Sequence, residues 1–475
     1  MISDKCDYRA KDTKWSELAK PYYAEALENY EKYIATPSYN DPKTATKEHP
    51  FGQYVENALA FTAELGKRLG FKVDRCDNYC TELSYGEGPL IDVYAHSDTV
   101  PVVLKNWNTD PFKPTIVGDR IIGRGASDDK GPGLACLYGV KALKDHGLID
   151  GYRVRFVFGG NEELDERCLE HYFHVLKKGY PTYGISPDAD FPLIYAEKAL
   201  CNYDATYNVD LGPAPFRWGT VLNLVCEDAE YDFKNLPAHL PFDKVKAVVD
   251  NYLADHPEIK GTWNGTLLHV KGKGYHGSMP WNGVNAGLYM INILGKVIGL
   301  QRLHEVYEDY KTGDGQPFGG NYKSKAFDRS SYCVGMFSYT SGKLVLHVNM
   351  RLPEDADIDE AAQNVRERTY VDKLKVTSKT PALYVDPKSA FIKTLMGVYQ
   401  EETGDTKSKP EAIGGGTYAK ESQNTVGFGG CFPGRDFGMH EDNEWFYIPD
   451  FYADIGIFAH AVYALGQLAK KEAKK

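Results

Sequence analysis

His96 and Asp98 stand two residues apart at the end of an apolar run, in VYAHSDTV (93–100). Side chains alternate faces along a strand, so the two point the same way, and one can bind a metal while the other orients it. Further acids follow at apparent ends of elements: Asp128 and Asp129 in GRGASDDKGP, Glu162 and Glu163 in GGNEEL, Asp188 and Asp190 in SPDADFP. His440 comes last, in MHEDNE. Two histidines among several carboxylates form a mixed nitrogen and oxygen set suited to zinc, manganese or cobalt, with no thiolate to mark a closed structural site. Taken singly, each is more often a cap, a turn former or a surface residue. Paired acids beside glycines, each pair at the edge of an element, point instead to an open catalytic site. In extended backbone Glu162 and Glu163 face opposite ways, so one carboxylate can hold metal while its neighbour moves a proton.

The elements that position these residues follow from periodicity. Tyr23, Leu27, Tyr30 and Ile34 form one helical stripe and Ala58, Phe61, Leu65 and Leu69 another, so two helices are expected between about Trp15 and Phe71. A strand from Leu90 runs into His96. A helix follows GRGASDDKGP and stops near Gly147, and a strand from Tyr152 ends at NEEL. Alternating strands and helices imply a mostly parallel sheet covered by helices, an α/β fold in which ligands gather at the carboxyl ends of the strands. From about Leu200 to Asp386 the pattern changes to antiparallel strands with helices at FDKVKAVVDNYL and GVNAGLYMINILGKVIGL, read as an inserted α+β domain. A helix ending at Gly404, Gly-rich turns and a final helix then return to the first domain. The expected division is 1–199 and 387–475 around an insertion at 200–386.

Composition narrows the function. With 475 residues, 42% of them hydrophobic, the chain can fill more than one core. A net charge of −11 offers no broad basic surface, which argues against nucleic acid as a partner. The first twenty residues are polar where a secretory signal would need an apolar core, and no run is long enough to span a bilayer, so a cytoplasmic enzyme without a membrane partner is expected. Nine scattered cysteines, with Cys76 and Cys80 the one close pair, read as reduced thiols. No G-x-S-x-G turn supports a serine hydrolase.

AHSDTVP, GRGASDDKGP, GGNEEL, SPDADFP, GKGYHGSMP, GGGTYAK and MHEDNE, in that order, resemble the two-zinc aminoacylase and carboxypeptidase metallopeptidases, most closely their PepV-type dipeptidases. The resemblance implies that His96 and Asp188 hold one zinc, that Glu163 and His440 hold the other, and that Asp128 bridges both, with manganese or cobalt as alternatives. It implies that Asp98 hydrogen-bonds the His96 ring, that Asp129 orients its loop, and that Glu162 is general base to a metal-bridging water. His276 would stabilise the oxyanion from a ferredoxin-like lid. Asn223, Arg351, Gly416 and Thr417 would receive the substrate carboxylate, as a guanidinium fork, an amide and backbone N–H groups can. The expected activity is cleavage of short peptides with a free C-terminal carboxylate. N-acyl amino acid hydrolysis is the alternative, and a metal-binding protein without turnover is a third reading. An insertion of this length resembles arrangements that work as monomers.

Overall fold

The computed structural model describes residues 12–236 and 240–474, which divide into two compact units. The first contains the described residues up to Ala196 together with Tyr384–Glu411 and Gly416 onward; the second is Glu197–Leu383 with Ala412–Gly415. Among the described residues no helix is long and apolar enough to cross a membrane.

The first unit is built on one twisted sheet. From its edge the strands run Lys72–Asp74, Cys80–Gly86, Arg153–Gly159, Leu90–His96, Tyr183–Ser186 and Thr425–Gly427, with Ile194–Glu197 beyond. The middle four are parallel, and the flanking pairings are antiparallel. The strand Leu90–His96 (LIDVYAH) shows why the sheet is covered on both faces. Ile91, Val93 and Ala95 pack into one core with Leu134, Phe156 and Phe158, whereas Tyr94 faces a second cluster with Val55, Leu59 and Tyr172. Each fully buried side chain of this size is worth roughly 1.5–3 kcal/mol of transfer free energy, so the pattern admits no slip in register.

Three helices precede the sheet, Lys14–Ala19, Tyr23–Ile34 and Gln53–Arg68, one more than the two expected. The addition is a short helix capped by Thr13, whose hydroxyl accepts the Ser16 N–H. Helix Gly131–Asp145 follows the Asp128 segment and packs closely on the last helix, Ile448–Glu472: a Cβ on Gly139 would stand 2.7 Å from the Ile455 carbonyl. Helix Ala390–Thr403 stops at Gly404, which takes the left-handed conformation (φ 75°) that glycine accepts at such ends.

The second unit carries a five-stranded antiparallel sheet in the order Phe216–Trp218, Ser331–Thr340, Lys343–Leu352, Ala199–Asn208 and Lys373–Thr380. A smaller sheet pairs Asp228–Asp232, Leu267–Lys271 and Lys260–Asn264. Helices Phe242–Asp255, Ala286–Ile298, Gln301–Tyr310 and Ile358–Arg368 complete it. Its core is rich in tyrosine. Tyr203 and Tyr310 share a hydrogen bond, and the hydroxyls of Tyr231, Tyr332 and Tyr339 donate to backbone carbonyls, so these rings are satisfied core residues. The fold is therefore the mostly parallel α/β architecture with a separate α+β unit that the alternation of elements predicts. The eight described cysteines are free and buried.

Candidate metal centre

His96 ends its strand opposite Gly159 in register, and Tyr183–Ser186 lies parallel on the other side. The chain leaves these three strand ends at Ser97, Gly160 and Pro187, which puts Asp98, Glu162, Glu163 and Asp188 along one edge. Asp128 reaches the same place from the start of helix Gly131–Asp145, and His440 from the loop before Trp445–Tyr447.

The structure brings these side chains together. Nε2 of His96 lies 2.8 Å from Asp128 Oδ1 and 3.6 Å from Asp188 Oδ2. Nε2 of His440 lies 2.8 Å from Asp128 Oδ2 and 3.0 Å from Glu163 Oε2. Asp128 thus shows one carboxylate oxygen to each histidine. Ligand atoms of His96, Glu162 and Asp188, and of His96, Asp128 and Glu163, each fall within 4.8 Å of one another. Asp190 belongs to neither group.

Asp98 differs from expectation. The Nδ1 of His96 meets the backbone carbonyl of Asp98 at 2.9 Å, while the carboxylate is 3.7 Å away. That carboxylate instead accepts two backbone N–H groups, from Glu162 at Oδ1 (3.0 Å) and from Glu163 at Oδ2 (3.2 Å). Glu162 and Glu163 are accordingly in a turn, not in extended backbone, and the turn directs them to different parts of the cluster. Asp129 faces the strand: its Oδ2 accepts the His96 N–H at 3.2 Å.

Sequence reasoning passed over several residues that build this site. Glu444 is fully buried and accepts from Arg124, from the N–H groups of Gly125, Ser127 and Asp128, and from the Ser127 hydroxyl, so it fixes the segment that presents Asp128. Lys130, also buried, donates to the carbonyls of Tyr33 and Thr36 at the end of helix Tyr23–Ile34. Tyr418 sets its ring edge-on to His96 and hydrogen-bonds Cys168 Sγ at 2.9 Å. Its hydroxyl occupies the space a Cβ on Gly159 would need, 2.2 Å away.

Electrostatics explain what the cluster lacks. Burial, the Asp188 charge and the Glu163 charge outweigh His96 and hold Glu162 well above the usual carboxylate range. Burial followed by the charge of Asp128 pushes Glu163 and Asp188 each up to about 7. Burial works against Asp128 as well, but hydrogen bonds from both imidazoles hold its carboxyl low. Hydrogen bonds to Asp128 and Glu163 raise His440 to about 11. Four carboxylates against two imidazoles is more negative charge than a buried space tolerates, and the donor set is the mixed one that divalent zinc, manganese or cobalt prefers. The residues fit a metal.

The remaining candidates divide between the units. Thr417 is buried in the first unit and caps the turn Tyr418–Glu421, with Gly416 exposed beside it. In the second unit, Asn223 and His276 are exposed on adjoining segments linked by a bridge between Leu224 and His276. Arg351 is 4% exposed, donates to the Gly414 carbonyl at 2.5 Å and to Asn349 Oδ1 at 2.8 Å, and lies 3.5 Å from His276 Nε2. None of the described carboxylates forms an ion pair with this guanidinium, and burial lowers it to about 10.

The profile of Peptidase family M20/M25/M40 matches residues 93–464. A Staphylococcus haemolyticus protein that carries a provisional dipeptidase name is 29% identical over 475 residues, covering 95% of this chain and 99% of its own. Among solved structures, the yeast dipeptidase Dug1p from Saccharomyces cerevisiae has a TM-score of 0.57 at 15% identity, covering 95% of this chain and 98% of its own. Human carnosine dipeptidase 1 has a TM-score of 0.54 at 14% identity, covering 96% and 98%. These two structures share the fold. Because the family match spans more than half of the chain and takes in every candidate residue above, the chain belongs to peptidase family M20/M25/M40 and is a metal-dependent peptidase.

Proposed function

We propose that the chain is a dipeptidase that works with two metal ions, zinc first among them, and acts as a monomer. The observation that carries the dinuclear reading is Asp128, with one carboxylate oxygen toward each histidine. His96 and Asp188 would hold one ion, Glu163 and His440 the other, and Asp128 both. Ions bound there would supply the Lewis acidity that lowers the pKa of water and polarises a carbonyl. Glu162 is then the group that moves protons: its carboxylate takes one from the attacking water and gives it to the departing amine nitrogen.

The substrate end of this reading rests on the second unit. Arg351 is a buried guanidinium that pairs with no carboxylate among the described residues, the receptor that a C-terminal carboxylate would complete. The Nδ1 of His276 lies 2.7 Å from the Ser278 hydroxyl oxygen and 3.4 Å from the Ser278 N–H, contacts that would hold the ring in place to support an oxyanion. Asn223, Gly416 and Thr417 are proposed as further contacts to the carboxylate. That relatives carry dipeptidase names supports reading free dipeptides, and not acylated amino acids, as the substrates of this chain. Steady-state kinetics on Arg351→Lys test this half of the proposal. A rise in KM of tenfold or more, with kcat little changed, is expected from loss of the bidentate fork. An unchanged KM would remove Arg351 from the substrate site.

A further inference from the structure

Asn40 has no place in the chemistry described so far, yet it lies at the junction of everything that holds the Glu162–Glu163 turn. Its Nδ2 donates to Asp98 Oδ2 at 3.1 Å, the oxygen that also receives the Glu163 N–H. Its Oδ1 accepts from Asn161 Nδ2 at 3.1 Å. Asn161 closes the turn from the other side, its own Oδ1 accepting the Arg167 N–H at 3.2 Å and its carbonyl the Glu166 N–H at 2.9 Å. One amide therefore touches both the carboxylate that seats the two glutamates and the residue that opens their turn.

The position of Asn40 is itself fixed. Tyr39 pairs with Thr99 in a parallel bridge, and the Thr99 N–H donates to the Ser38 carbonyl at 3.2 Å. The segment from Ser38 to Asn40 is thus tied to the residues that directly follow His96 and Asp98. Upstream, Lys130 holds the carbonyls of Tyr33 and Thr36, so the same segment is pinned to the Asp128 side as well. Asp98 adds the last link, since its carbonyl meets the His96 ring while its carboxylate meets the glutamate turn. An unsupported carboxylate could rotate about its χ2; a carboxylate with three donors on it cannot without losing one.

We propose that Asn40 is a positioning residue, which locks the Asp98 carboxylate and Asn161 into one rigid seat for Glu162 and Glu163. The inference rests on the reading of Glu162 as the general base. Its role is geometric: a base that drifts by a fraction of an ångström loses alignment with the proton it must take.

Two readouts test it, on metal-loaded and metal-free protein. Amide hydrogen exchange at Glu162 and Glu163 reports the seat without any turnover. Asn40→Ala should speed exchange at both by about tenfold, the effect of one lost hydrogen bond to a charged group. In dipeptide hydrolysis by metal-saturated protein the same variant should lower kcat by about tenfold, with KM little changed. Asn40→Asp keeps the size but faces Asp98 with a like charge, so it should be worse than alanine in both readouts. In the Asp98→Ala background, Asn40→Ala should add little, because the two act as a unit. Unchanged exchange and kcat in Asn40→Ala, additive losses in the double variant, or alanine worse than aspartate would each overturn the proposal. If the wild type cleaves no dipeptide, the reading of Glu162 fails, and the exchange data still decide whether Asn40 holds the turn.

Discussion

At the scale of single residues, one carboxylate serves one task. Asp128 stands between imidazoles, Glu162 and Glu163 share a seat, and Glu444 takes no part in the cluster but anchors the backbone beneath it. Glu162→Gln should therefore lower kcat by roughly 10²–10⁴-fold while bound metal, measured by elemental analysis, stays at the wild-type ratio. Glu444→Ala should act through stability. It strands the buried Arg124 guanidinium and three backbone donors, for an expected loss of about 3–5 kcal/mol in urea unfolding. The ligand candidates were visible in the sequence because acids beside glycines at strand ends are unusual company. Asn40 and Glu444 were not, since Asn40 meets the side chains of Asp98 and Asn161, 58 and 121 residues further on, and Glu444 meets backbone groups 316 to 319 residues earlier, separations that no spacing encodes. Asp98 was visible, but which of its oxygens would meet His96 was not.

At the scale of elements, strand ends aim the site and tight packing keeps them aimed. Gly159→Ala would drive a methyl group into the Tyr418 hydroxyl and push that ring from the edge of His96. Metal affinity, measured by chelator competition, should fall by about tenfold or more, as is typical when a ligand loses its supporting shell. In the second unit, helix Gln301–Tyr310 carries Asp309, whose Oδ2 is buried with no hydrogen-bond partner among the described residues. Burial, then Glu305 and Glu308, raise it to about 7. Between the ordinary aspartate range and pH 7 the folded chain keeps a proton that the unfolded chain releases, so stability falls as pH rises through that window and the penalty is complete above it. Asp309→Asn should accordingly stabilise the chain by about 1 kcal/mol at pH 8, once solvent screening is allowed for, and change its stability little at pH 4, as thermal unfolding at the two pH values would show. Strands with a strict pattern, such as Lys343–Leu352, and helices with clear stops, such as Ala390–Thr403, were legible in the sequence. Lys260–Asn264 was not, because nearly all of its side chains are exposed and no period of two remains to be read.

At the scale of the whole molecule, the first unit gathers four carboxylates, Asp128 buried and Glu162, Glu163 and Asp188 half-buried, where a cation belongs. Metal therefore binds the folded chain far better than the unfolded one and should stabilise it by about 2.7 kcal/mol at a hundred times its Kd. Calorimetry in EDTA and in zinc or manganese should show that gap, and equal melting temperatures would contradict a built site. The measurement that bears most directly on the central claim is hydrolysis of a small panel by zinc- or manganese-loaded protein: free dipeptides, tripeptides and N-acetyl amino acids, with Glu162→Gln alongside. Cleavage of free dipeptides alone, abolished by the substitution, is the predicted result. Cleavage of the acylated substrates instead, or of nothing with both metals bound, would contradict it.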